Sequence, residues 1–175
     1  MAGILKVDKY QDFNGNDIMT SDGAGNITVN AAALKNTPAF SAELTSNFTI
    51  PNATETLIDF NNVKFDTNSG YNTTNKSFTI PSGQGGKYFI GITLKNTGYT
   101  ASRCLVYLKK NGTSTAVSEL TIPSSTYPSV YINVIQSFVA GDVLTAYVYQ
   151  NSGGNGTLQQ NSGETFFNGY KLIGA

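Results

Sequence analysis

Three carboxylates, Glu43, Glu55 and Asp59, fall within one short segment of the chain. Such a group does glycosidase chemistry when two carboxyls oppose each other across a groove, roughly 5–9 Å apart. The spacing alone provides no opposition, and surface solvation accounts for all three. The run "DFNGND" at Asp12–Asp17 sets oxygen atoms at alternate positions, as a calcium loop does. Asp17 stands where that loop needs glycine and Gly23 where it needs a bidentate glutamate, so the run reads as a solvated Asx turn. "GQGGKY" lacks both the spacing and the Ser/Thr of a phosphate loop. The chain has no histidine, which removes Ser-His and Cys-His nucleophile pairs and histidine metal sites. Cys104 is the only cysteine and sits in the alternating run "SRCLVYL", a buried structural thiol by pattern. No catalytic residue, metal or cofactor is expected, and the chain reads as non-enzymatic.

The elements that carry these residues are strands. At 175 residues the chain is long enough for one core without disulfides or metal. Gly and Asn break every helical period except in "NAAALKN" (Asn30–Asn36), about two turns. Short runs rich in Val, Ile, Tyr, Phe and Thr alternate with turn clusters: "AFSAEL", "TLIDFNNVKF", "SFTIP", "KYFIGITLKN", "RCLVYLKKNG", "AVSELTIP", "SVYINVIQSFV", "DVLTAYVYQ" and "TFFNGYKLIG". Asn111-Gly112 fits a tight hairpin, and Gly153, Gly154 and Gly156 mark a longer loop.

Only 13% of residues are charged and the formal net charge is zero, so uncharged polar groups replace ions on the surface. Nucleic-acid binding has no basic patch to support it, and no apolar window reaches the roughly 18–20 residues of a membrane span. The start "MAGILKVDKY" has no secretory signature, and the seven Asn-x-Ser/Thr triplets read as coincidence of composition.

"AVSELTIP" alternates like a strand with one wet face. "KYFIGITL", "CLVYL", "VYINVI" and "VLTAYVY" carry bulk on both faces and need cover on both, which a second subunit would supply. The expected core and trimer-packing residues are Phe40, Phe60, Phe78, Tyr88, Ile90, Ile92, Val106, Leu108, Ile132, Val134, Tyr147 and Phe167, with Val63 and Phe65 beside them.

From Pro38 to Ala175, about four fifths of the chain, several motifs occur in a fixed order. "PAFSAEL" opens it; Phe60, Val63, Gly70-Tyr71, Phe78, Pro81 and Gly86-x-Tyr88-Phe89 follow. Gly141-Asp142-Val143 comes next, and Phe167-Asn168-Gly169 with Leu172-Ile173 closes it. This order resembles the C1q-like globular domain, the ten-stranded jelly roll shared with the tumour necrosis factor superfamily. The inserted "SGQG" after Pro81, and Thr79 where animal members often have cysteine, mean that no ligand site is carried over from complement.

The resemblance implies an all-β fold: a ten-stranded antiparallel jelly-roll sandwich over residues 38–175, forming a homotrimeric knob. Residues 1–37 string short β pieces between Asn-Gly and Asp-Gly turns, too thin to bury a core alone. They are similar to the stems that precede C1q-like heads in bacteriophage tail-fibre and head-fibre proteins. The expected function is that of a trimeric phage virion protein, made in the host cytoplasm. Residues 1–37 would join other virion proteins and the knob would bind a host-surface glycan or protein. Tyr71, Asn72, Tyr99, Tyr127, Asn151 and Asn155 are the candidate contacts, because turn composition predicts exposure and Tyr offers rigid amphipathic area. A capsid decoration protein without receptor binding is the alternative, and a carbohydrate-active enzyme the weakest reading.

Overall fold

The computed structural model describes residues 7–30, 36–97, 102–122, 127–160 and 163–173, and all regular structure among them is strand. The helix-like run at 30–36 and Tyr99 fall largely or wholly outside these residues.

The N-terminal part is a three-stranded meander of β1 (Lys9–Gln11), β2 (Asp17–Ser21) and β3 (Ile27–Val29). Its two turns are copies of one device, Asp-x-x-Gly-Asn. Asp12 accepts the backbone N–H of Asn14 and Asn16 and the Asn16 side-chain amide. Asp22 does the same with Ala24, Asn26 and the Asn26 amide. The expected Asx turn at Asp12 is therefore present, and its carboxylate is spent on the turn. Asp17 bridges to Lys9 Nζ at 2.9 Å and to Gln11 Nε2 at 2.7 Å.

All three carboxyls are held below their ordinary value of 3.8 by these bonds: the Asn16 amide first for Asp12, Lys9 for Asp17, the Asn26 amide for Asp22. A depressed folded pKa gives stability that is complete above the ordinary value and lost as pH falls through the folded one. Acidification below about pH 3.8 should therefore release amide exchange in residues 7–30 before the sandwich opens. Asp22→Asn, which keeps the acceptor without the titration, should narrow that pH dependence. Protection in this sheet that persists unchanged to about pH 2 would refute the assignment.

The rest is a sandwich of two antiparallel sheets. The inner sheet contains β4 (Ala39–Glu43), β5 (Phe48–Ile50), β7 (Asn62–Asp66), β10 (Gly86–Thr97), β13 (Ser129–Phe138), β15 (Gly156–Leu158) and β16 (Phe166–Lys171). Its order is β5-β15-β10-β16-β4-β7, with β13 also paired to β10. The outer sheet runs β12 (Thr113–Ile122), β11 (Ser102–Lys110), β14 (Val143–Gln150), β9 (Ser77–Thr79), β8 (Tyr71–Asn72), with β6 (Thr56–Leu57) on β14. The all-β jelly-roll expectation holds. There are more segments than ten because short pieces of two or three residues, among them β5, β6, β8 and β15, add to the longer strands.

"TLIDFNNVKF" is not one strand. Its first part is β6 in the outer sheet and its last is β7 in the inner, and the fully buried Ile58 and Phe60 carry the chain across the core between them. Phe40, Phe60, Phe78, Tyr88, Ile90, Ile92, Val106, Leu108, Ile132 and Phe167 are buried as expected, and Val134 packs against them. Tyr147 is a correction. Its neighbours Ala146 and Val148 face the core, so Tyr147 points to the opposite, outer face of the outer sheet, where Lys109 Nζ lies 4.2 Å from its ring centre. The lysine ammonium over the ring supplies part of the cover that the pattern assigned to another subunit.

The Asn111-Gly112 turn takes φ values of 51° and 82°, both positive as a tight hairpin requires. Asn111 also ties the Gly141-Asp142-Val143 step: its amide donates to Asp142 Oδ1 and its Oδ1 accepts from the Val143 N–H. Asp142 Oδ2 accepts from the Val139 N–H at 2.9 Å, and this bond above all holds its carboxyl below the usual range.

Candidate functional site

The turn between β7 and β8 is built by Asp66. Its carboxylate accepts the N–H of Asn68 and, at 2.7 Å, that of Tyr71. Gly70 is required because a Cβ there would meet the Phe78 ring at 2.6 Å and the Thr79 carbonyl oxygen at 2.8 Å. Between this turn and the following strand lies an open cup of about 280 Å³ lined by Asn68, Ser69, Gly70, Tyr71, Asn72, Thr79 and Pro81. It has hydrogen-bonding groups and no ionisable group except the Tyr71 phenol, so it can hold a small neutral polar moiety but cannot move protons.

Two of the predicted contacts, Tyr71 and Asn72, share this cup, in different roles. Tyr71 is not an exposed contact: its hydroxyl donates to the Phe60 carbonyl at 2.7 Å, and its ring lies 5.6 Å from Phe40 and 6.3 Å from Phe167. Burial, and then Asp59, push its hydroxyl well above the ordinary tyrosine range, so it remains a neutral donor. Turn composition predicted exposure, whereas a ring reaching a core carbonyl wins. Asn72 is exposed, and its Oδ1 accepts from the N–H groups of Thr74 and Asn75, leaving its amide nitrogen toward solvent.

Asn151 and Asn155 are exposed in the loop after β14, with Asn151 Oδ1 accepting the Arg103 N–H. Tyr127 is 62% exposed and precedes β13, near where Asn96 at the end of β10 bonds to the Pro128 carbonyl. β9 pairs with the start of β14 and Asn151 follows its end, so the two groups of contacts are separated by roughly 20 Å of strand at ~3.4 Å per residue. They are not one site. The residue that organises the second loop escaped the sequence reading. Gln150, fully buried, donates to the Ile50 and Gly154 carbonyls and accepts from the Ser152 N–H and hydroxyl. A lone Gln at a strand end carries no signal for this.

The three carboxylates of the glycosidase reading go separate ways. Glu43 is buried on β4 and lies 3.6 Å from Lys64 Nζ; Glu55 pairs with Lys109; Asp59 lies 2.5 Å from Lys76 Nζ. Each is committed to a different lysine, and the structure does not bring them together as an acid-base pair.

The inner sheet presents a second, larger surface. Its face away from the core carries Tyr131 at 59% and Ile135 at 61% exposure on β13, and Phe65 at 51% on β7. Between them Phe89 of β10 lies directly opposite Ile135 and stacks on Tyr170 of β16 at 5.3 Å. At the centre is Gly91, where a Cβ would meet Asn168 Oδ1 at 2.5 Å and Asn133 Oδ1 at 3.3 Å. Beside this face, along the β12–β13 rim, Val117 and Tyr131 border a groove of about 260 Å³.

Compared by sequence, the chain matches no protein-family model and no curated protein. By structure it is similar to the crystal structure of murine APRIL at pH 5.0, with TM-score 0.58 and 14% identity over 77% of this chain and 98% of that one. It is also similar to Eiger TNF from S. frugiperda, with TM-score 0.56 and 13% identity over 78% and 93%. The globular domain of zebrafish complement 1qA aligns with TM-score 0.49 and 20% identity over 77% and 97%. The likenesses to APRIL and Eiger show the fold, a jelly roll of the tumour necrosis factor type.

Proposed function

We propose that the chain is a homotrimeric bacteriophage virion protein, a tail or capsid fibre appendage, whose jelly-roll knob attaches to a host-surface glycan or protein. Residues 1–37 hold it to other virion proteins. The observation that carries the reading is the uncovered apolar face of the inner sheet, with Tyr131, Ile135, Phe89, Tyr170 and Phe65 on neighbouring strands. Monomeric proteins rarely leave a contiguous patch of this kind in water, and a second copy of the same chain is the partner always present. The three-stranded meander supports the stem role, since a sheet of that size is marginal unless it packs against something. The exposed loops supply attachment that is weak per knob and strong through several.

Light scattering on the full chain should give a mass near three times 18.6 kDa that holds on dilution. Purified protein should bind host cells saturably, and Tyr127→Ala should weaken that binding with the melting temperature unchanged, because the side chain is exposed. A monomer at all concentrations would defeat the assembly. A trimer that binds no cells would leave the decoration reading in its place.

A further inference from the structure

The outward face of the outer sheet is the side of a jelly roll that should be most ordinary, a wet surface of Thr, Lys and Glu. Here it carries three tyrosines on its two adjacent central strands. Tyr107 of β11 lies directly opposite Tyr147 of β14, and one pair along, Leu105 lies opposite Tyr149. All three rings are partly exposed, while Leu105 is only 7% exposed and forms the floor between them. Val117 of β12 and Leu57 of β6 continue the row on either side. The rings are thus held by a hydrogen-bonded sheet instead of a loop, so presenting them costs little ordering.

Charges frame this platform in closed pairs. The Arg103 guanidinium forks onto Glu119, with Nε 2.5 Å and Nη2 2.9 Å from its two carboxylate oxygens. Lys109 pairs with Glu55 while lying over the Tyr147 ring. Two cations meet two anions, so the face carries hydrogen-bonding groups without net charge. A nucleic acid or an acidic polymer needs unpaired cations, which these residues do not provide. A neutral chain of sugars matches: its C–H faces lie on tyrosine rings, and its hydroxyls find the phenols and the paired ions at the rim.

We infer that Tyr107, Tyr147 and Tyr149 form a binding platform for a neutral polysaccharide, framed by the Arg103–Glu119 and Lys109–Glu55 pairs. It shares no residue with the loop cup or the apolar face of the inner sheet, and it stands independently of the attachment reading.

Affinity electrophoresis of the full chain tests it, with dextran, yeast mannan and hydroxyethylcellulose as neutral probes in separate gels and polygalacturonate as the acidic one. The native chain should be retarded by at least one neutral polymer. Tyr147→Ala and Tyr149→Ala should each weaken that retardation about tenfold, the scale of one lost aromatic stacking face. Tyr147→Phe should keep it, and Thr49→Ala, exposed on β5 of the other sheet, should leave it unchanged. Melting temperatures of the variants separate lost binding from lost fold, and Tyr147→Phe guards against a truncation that unsettles the sheet. Retardation by none of the neutral polymers, retardation only by polygalacturonate, or retardation indifferent to both alanine variants would overturn the assignment. Cell binding by a chain that no neutral gel retards would sink this platform while leaving the attachment reading standing.

Discussion

Phe167→Ala is expected to cost about 3–5 kcal/mol of stability, the range for emptying a buried aromatic site. Phe167 is fully buried on β16, and four observations say that the site cannot collapse around the loss. The Phe40 ring meets it edge-on at 4.9 Å and 84°, while Phe60 lies 6.1 Å and Tyr71 6.3 Å away. Phe40 in turn stacks on Phe78 at 4.1 Å, which joins the inner sheet to the outer. The backbone of β16 is fixed on both sides, with Phe167 opposite Ile92 of β10 and Ala42 of β4, so it cannot sink into the hole. Next along the strand, Gly169 already lets Ile90, the Phe89 carbonyl and Phe40 approach within what a Cβ would need. For a domain of this size the loss corresponds to roughly 6–20 °C in melting temperature. Tyr71→Phe is the calibrating partner: it keeps the ring and removes only the hydroxyl bond to Phe60, worth about 1 kcal/mol. A Phe167→Ala loss no larger than that would show that the aromatic cluster does not hold the two sheets together.

The same cluster shows how far the sequence could be read. Phe40, Phe78 and Phe167 were legible because each falls in a short run whose alternation and turn-rich flanks mark a strand. Asn111-Gly112 was legible because positive φ is a property of those residues themselves. Phe60 read as interior, but not as part of a crossing between sheets. A chain that changes sheets keeps its apolar residues inward, and the pattern looks the same as in one strand. β5, β8 and β15 were invisible because the partner strand's register creates them, not any local run. The two largest errors concern tyrosine. Alternation placed Tyr147 in packing, although its neighbours took the core side; turn composition placed Tyr71 outside, although its hydroxyl had a carbonyl to reach inside. An amphipathic ring satisfies either environment, so neither period nor composition fixes its side. The candidate contacts suffered most from this, whereas the fold class did not depend on it.

Ile135→Lys is expected to abolish self-association while leaving the fold of each chain intact, so that the solution mass falls from about three times 18.6 kDa to 18.6 kDa. At 61% exposure on β13, Ile135 contributes little to the core, and a lysine there costs the isolated chain within about 0.5 kcal/mol. In an assembly the same position lies against Phe89, which is stacked on Tyr170. No carboxylate faces it from the paired strands: its partner on β10 is Phe89, and Asn133 and Ser137 flank it on its own face. Covering this face would bury an unpaired ammonium in every subunit, a penalty of several kcal/mol each, which outweighs a typical interface contact. Two further readouts separate this from misfolding. Tyr149→Ala, on the opposite sheet, should keep the native mass. The Ile135→Lys chain should melt at a temperature independent of protein concentration, as expected once unfolding is no longer linked to dissociation. An Ile135→Lys chain that still runs at the native mass would mean that the inner-sheet face is open in the assembly, and that the subunits meet elsewhere.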